Sequence, residues 1–224
     1  MFQLDRKKAG ALTICAFILV GCGGTGNTAL GGGSGGGTGG GGGDSPSDGG
    51  AALESYAVAA SELLTDLEPL APTQDLPGLS TVSYDGYAVF AYGNLSDFDA
   101  EDPSQDIADI GILASKMELT ADLNNLELDS GRFYEFVDQD GEVEGEVNWL
   151  ATSDIAEGNI LDVEFGGLTF SDSATGNVDG KQLAVTLDGG FLGDDGQGVI
   201  GLAQGEYNND DLVGAFAGSD SASP

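Results

Sequence analysis

The chain has 224 residues, with 6 basic residues against 38 acidic ones and no histidine, so its formal net charge is −32 at pH 7. That balance excludes nucleic-acid binding, which needs clustered cations to neutralise phosphate, and it opposes docking by charge onto an anionic membrane surface. Without histidine the commonest general base and metal ligand is missing, and Ser-His-Asp and Cys-His catalysis are impossible.

Met1 to Lys8 is net basic through Arg6, Lys7 and Lys8, and Ala9 to Val20 is apolar apart from Thr13. This run suits the h-region of a secretory signal and is short for a membrane-spanning helix, which needs roughly 20 apolar residues. Leu19-Val20-Gly21-Cys22 follows. The tetrad resembles the bacterial lipobox, which implies cleavage after Gly21, acylation of the Cys22 thiol by a palmitate-like chain, and an outer-membrane anchor. Two or more acyl chains hold a protein stably to a bilayer, whereas one does so marginally. Residues 1–21 are thus expected to be a lipoprotein signal peptide. A disulfide between Cys22 and Cys15 is not expected, because Cys15 lies in the segment to be removed.

Sixteen of the twenty-eight residues from Gly23 to Gly50 are glycine. Such a composition cannot build a core and reads as a flexible tether over residues 22–50. As a random coil it would span about 30 Å between its ends.

The rest of the chain is long enough for one domain with its own core. Leu53, Tyr56, Ala60, Leu63, Leu64 and Leu67 fall at helical spacing. They predict an amphipathic helix within 51–75, running from about Ala51 to Glu68 and ended by Pro69 and Pro72. Its apolar stripe must cover the flank or a mouth of a sheet.

Past Pro77 the pattern turns to strands, expected near Thr81–Tyr92, Gly111–Leu123, Leu126–Val137, Glu142–Ala151, Ile160–Phe165, Gln182–Leu192, Gly198–Tyr207 and Asp211–Gly218. "DLNN" (Asp122–Asn125) and "DQDG" (Asp138–Gly141) suit tight turns. Leu113, Met117, Leu119, Ala121 and Leu123 alternate with mostly polar residues, as do Leu183, Val185 and Leu187, so one face of each strand is apolar. About eight such strands predict an all-β fold over 76–224, a soluble antiparallel barrel whose closure removes sheet edges. Glycines inside the strands (Gly86, Gly145, Gly189, Gly190, Gly201, Gly205, Gly214) are expected at bends and bulges. A transmembrane barrel would need an apolar outer band with aromatic girdles, and the aromatic residues show no such spacing.

Two stretches carry a resemblance. "LPGLSTVSYDGYAVFAYG" (Leu76–Gly93) and "GGFLGDDGQGVIGLAQGEYNNDDLVGAFAG" (Gly189–Gly218) resemble the opening and closing hairpins of the transferrin-binding-protein-like β-barrel lipoproteins. The resemblance implies an eight-stranded barrel, an anchor at Cys22, surface display and, in some members, capture of host iron-carrier proteins. This chain has sequence for one barrel, without the second lobe and handle domains of the large members, so no binding residue carries over.

No catalytic residue is expected, since chance carboxylate pairs abound among 38 acidic side chains. No cofactor is expected beyond a weak calcium candidate in the acidic stretch Asn94–Asp109. There Asp97, Asp99 and Glu101 alternate as oxygen ligands often do, but the glycine and distal Glu of an EF-hand loop are missing. "VDQDGE" and "LGDDGQG" have a similar flavour, though Asp and Gly are also ordinary turn residues. The expected function is non-enzymatic: a lipid-anchored outer-membrane or cell-surface lipoprotein binding a protein or other ligand, in nutrient or iron acquisition. The alternative is a structural or adhesive envelope role with no small ligand. Exposed Tyr87, Phe98 or Tyr134 would favour binding, and their burial the structural role.

Overall fold

Eight strands close on one another in a ring. The computed structural model describes residues 48–74, 81–95, 110–160 and 163–221. It contains one helix, α1 (Asp48–Leu67), and nine strands: β1 (Thr81–Gly93), β2 (Gly111–Asp122), β3 (Glu127–Asp138), β4 (Glu142–Trp149), β5 (Ala156–Ile160), β6 (Val163–Val178), β7 (Lys181–Leu192), β8 (Gly198–Tyr207) and β9 (Asp210–Asp220). All pairings are antiparallel, and β4 pairs with β6 to complete a closed barrel of β1–β4 and β6–β9.

β5 is not a ninth stave. It pairs with the first half of β6, on the edge that β4 occupies further along. Residues 150–155 between them keep bonding to both neighbours, through Leu150 N–H to Ser173 O on β6 and Leu128 N–H to Ser153 O on β3. β4 and β5 are therefore one stave with an irregular middle.

The period-two pattern sends one residue set inward on every stave. Tyr84, Phe90, Met117, Leu119, Phe133, Val147, Trp149, Phe170, Leu187, Phe191 and Phe216 fill the barrel as a single apolar cluster. The outward positions of β4 are Glu142, Glu144, Glu146 and Asn148, all exposed, so the outer wall there is not a lipid-facing band. Among the described residues no helix is long and apolar enough to cross a membrane.

Helix α1 explains the apolar outward positions that remain. It lies along the outer wall, with Leu53 and Ala60 against Val89, Ala114 and Val137, and Leu67 against Leu192 and Ala217. It begins three residues before the expected Ala51 and covers a flank rather than a mouth. Ala71–Gln74 then wedges between splayed strand ends. Thr73 N–H donates to Phe191 O of β7 at 2.9 Å, and Leu168 N–H of β6 donates to Thr73 O at 2.8 Å. Thr73 Oγ1 also donates to Gly193 O at 2.6 Å.

Two expectations need correction. The strand expected at Ile160–Phe165 is divided: Ile160 ends β5, where it pairs with Val163, and Val163–Phe165 open β6, which runs on to Val178. Its sequence GGLTFSDSATGNV reads as a loop because glycine and small polar residues dominate it. Partners on both edges override that weak preference. Six of the seven strand glycines are not bulge sites: register shifts fall at Ala114/Lys116, Thr120/Ala121, Tyr134/Phe136 and Glu157/Asn159, and only Gly145 of the seven sits at one, where it and Glu144 face Glu135. Several glycines instead face an aromatic ring directly across the ladder, as in Phe90–Gly214, Phe170–Gly189 and Phe216–Gly201. A Cβ at any of these three glycines would meet the ring opposite.

Candidate binding surface

The inward rings leave no calyx. Trp149 lies 5.3 Å from Phe133, 5.5 Å from Phe216 and 6.0 Å from Phe170, and Phe170 lies 5.6 Å from Phe191. Edge-on and tilted contacts at these distances are those of a packed aromatic core. Among the described residues the surfaces open to a ligand are the outer wall and the barrel ends. A shallow depression of about 430 Å³ lies outside the barrel, on the outward face of α1, lined by Ala51, Glu54, Ser55, Val58, Ala59 and Glu62.

The outer wall is anionic. Lys116, Arg132 and Lys181 are the cations among the described residues, and each is paired. Arg132 places Nε and Nη2 on Glu118 Oε2 at 2.9 and 2.8 Å, reaches Glu146 Oε2 at 3.4 Å and covers the Tyr134 ring at 4.5 Å. Burial, together with a hydrogen bond to Glu118, pushes the Tyr134 hydroxyl up to about 12. Lys116 lies 2.5 Å from Glu135, which has φ of 49° and sits with Phe136 in a bulge of β3 opposite Ser115 of β2. Tyr56 of α1 donates to the same carboxylate at 3.5 Å and meets the Tyr87 ring edge-on at 5.6 Å. Tyr87 and Tyr134, whose exposure would favour binding and whose burial the structural role, are thus half-buried and held within the molecule. Phe98 lies outside the described residues.

One end of the barrel carries the tight turns. Asp179–Gly180 (φ 52° and 70°) and Asn208–Asn209 (φ 55° and 72°) are two-residue hairpin turns of the primed kind. At 139–141, Asp138 Oδ1 accepts the N–H groups of Asp140 (2.8 Å) and Gly141 (3.0 Å). That carboxylate is committed to its own turn, and among the described residues no group of three or more acidic side chains is arranged to hold a metal ion. Lys181 caps the Tyr207 ring at 5.6 Å and pairs with Asp179 at 3.0 Å, beside the Tyr92–Tyr207 contact at 4.8 Å. Cys22, Asp97, Asp99 and Glu101 lie outside the described residues.

Asp172 is a buried acid among the apolar inward positions of β6 and was not among the expected site residues. It points inward from β6, is buried, and accepts Ala151 N–H at 2.7 Å. It thereby steadies Ala151, whose φ is 50°, a conformation non-glycine residues seldom adopt. The inward place of Phe170 and Ala174 on either side was the signal that could have found it.

No family model matches the chain, and no curated protein matches it. The barrel is similar to that of transferrin-binding protein B. The protein from Neisseria meningitidis matches 68% of this chain at 15% identity with a TM-score of 0.40. An intact transferrin-binding protein B with N and C lobes matches 67% at 16% identity, TM-score 0.39, and a solved surface lipoprotein matches 66% at 18%, TM-score 0.37. The chain spans 27% and 28% of the two transferrin-binding proteins and 64% of the surface lipoprotein. The likeness is one of barrel architecture.

Proposed function

We propose that this chain is a lipid-anchored outer-membrane surface lipoprotein whose barrel binds a protein partner without catalysis, in nutrient or iron acquisition. The observation that supports binding from outside is the filled interior, with Phe90, Phe133, Trp149, Phe170, Phe191 and Phe216 occupying the space a small ligand would need. The outer wall offers carboxylates in excess while its cations are spent on internal pairs, so the fitting partner presents a basic face. The anchor rests on Leu19-Val20-Gly21-Cys22. Labelled palmitate should enter the wild-type chain and not Cys22→Ser; equal labelling would refute the anchor. Protease shaving of intact cells should release peptides from 51–224, and their absence would refute surface display.

A structural or adhesive envelope role is the second reading. It is favoured by the internal engagement of Tyr87 and Tyr134, which leaves neither ring free as an anchor.

A further inference from the structure

The barrel has an irregular seam between the start of β3 and residues 150–155. Two backbone bonds hold it: Ile155 N–H to Leu126 O at 2.6 Å and Leu128 N–H to Ser153 O at 3.0 Å. They flank an isolated bridge between Glu127 and Asp154. This pattern makes Glu127 and Asp154 a non-hydrogen-bonded pair, the kind whose Cα atoms approach to about 4.5 Å and whose side chains lie closest. Leu128 and Ile155 point inward, so both carboxylates stand on the outer face, exposed and facing each other. Like charges directly opposite destabilise a ladder.

No cation among the described residues offsets them. Asp129 and Glu157, the next acidic groups along these strands, are also exposed, and Arg132, the cation on β3, is held by Glu118 and Glu146. The seam is conspicuous in other ways. Leu126 and Ala151 both have positive φ, 56° and 50°, the kind of backbone strain that persists only where surroundings impose it. Leu126 and Leu150 are two of the three exposed large apolar side chains among the described residues. Behind the seam, Trp149 lies over Gly131 of β3, and its buried Nε1 has no hydrogen-bond partner. The other side of 150–155 is better secured, through Leu150 N–H to Ser173 O, Ala151 N–H to Asp172 and Ser153 Oγ to Ser171 O.

We propose that the seam between the start of β3 and residues 150–155 is an opening in the barrel gated by ionic strength. At about 0.01 M salt the screening length is roughly 30 Å and the facing carboxylates repel at full reach; at 1 M it is about 3 Å and the repulsion is largely gone. The seam closes as salt rises and opens as salt falls, on the β3 side, while 150–155 stays bound to β6.

Trp149 is the single tryptophan of the chain, so its fluorescence reports the seam directly. The experiment is acrylamide quenching of Trp149 in the full chain across a sodium chloride series, with circular dichroism of the strands in parallel. Quenching should fall severalfold as salt rises, with the strand signal unchanged. Glu127→Gln should reach the protected state at lower salt. Glu142→Gln, which removes the same charge opposite Val137, should leave the salt dependence as it is. Choline chloride should act as sodium chloride does at equal ionic strength. Flat quenching, an equal shift in Glu142→Gln, strand signal lost in step with Trp149 protection, or a response confined to calcium would each overturn the proposal.

Discussion

Replacing Gly189 by alanine tests whether the barrel is packed by ring-against-glycine pairs. Gly189 pairs directly with Phe170, and the three atoms nearest to an added Cβ all belong to that ring, two of them at 2.8 and 3.0 Å. Phe170 has little room to retreat, since Phe191 and Trp149 lie 5.6 and 6.0 Å away and the side chain is 3% exposed. Overpacking of this kind costs about 1–3 kcal/mol. The loss of glycine's freedom in the unfolded chain returns about 0.4–1 kcal/mol. Gly189→Ala should therefore destabilise by about 1–2 kcal/mol. Phe170→Leu alone leaves a void and should cost about 1–3 kcal/mol. In the double variant the new methyl enters the space the ring vacated, so the combined cost should fall short of the sum by about 1–2 kcal/mol, within the range for residues in contact. Urea denaturation followed by Trp149 fluorescence measures all four proteins, with unchanged m-values as the check that only stability moved. Additivity within about 0.5 kcal/mol would show that the glycine is there for another reason.

Three further outcomes follow from other parts of the molecule. Gly50 sits in α1 with nothing within 4 Å of an added Cβ, so Gly50→Ala should stabilise by about 0.5–1 kcal/mol in the same denaturation assay. Tyr56, Tyr84, Tyr92, Tyr134 and Tyr207 all have raised pKa values, burial being the leading cause in each. Each keeps its proton in the folded state after it would lose it unfolded. Their contribution is intact below the unfolded value of about 10 and drains away as pH climbs toward and past the 12 of Tyr134. Absorbance titration should show tyrosinate appearing late and together with loss of strand structure, while ordinary titration near pH 10 in an intact fold would refute this. At the β2–β3 turn Asp122 accepts the N–H groups of Asn124 (3.0 Å) and Asn125 (3.1 Å), and its pKa is lowered chiefly by the Asn125 bonds. Its stabilisation is present above the unfolded carboxylate range and lost as pH falls, so Asp122→Ala should blunt the acid sensitivity of the melting temperature.

The alternating strands were legible because burial on one face imposes a period of two, and Leu183-Val185-Leu187 or Leu113-Met117-Leu119 leave little choice of register. The helix was legible for the same reason at a different period. β6 was not, because its outward positions Ser171, Ser173, Thr175 and Asn177 are small and polar and its inward ones include Asp172 and Gly176. What identifies it is the turn after it, Asp179–Gly180, from which pairing Val178 with Lys181 would have led back along the strand. The glycine positions were seen, but their purpose depends on which strand lies opposite, and neighbours such as β1 and β9 are far apart in the chain. The seam was illegible for that reason too: nothing near Glu127 announces that Asp154 will face it.

The path by which the chain enters the barrel has a mechanical consequence. Tension applied ahead of Asp48 meets α1 first, whose hold on the outer wall is apolar contact along its length, and next the wedge at Ala71–Gln74, pinned by backbone bonds to Leu168, Phe191 and Gly193. Only beyond these does the pull reach β1, which is bonded along both edges to β2 and β9. The helix is therefore a shock absorber in series with the barrel: under load it would peel from the wall and lengthen the connection while the closed ring of strands kept its shape.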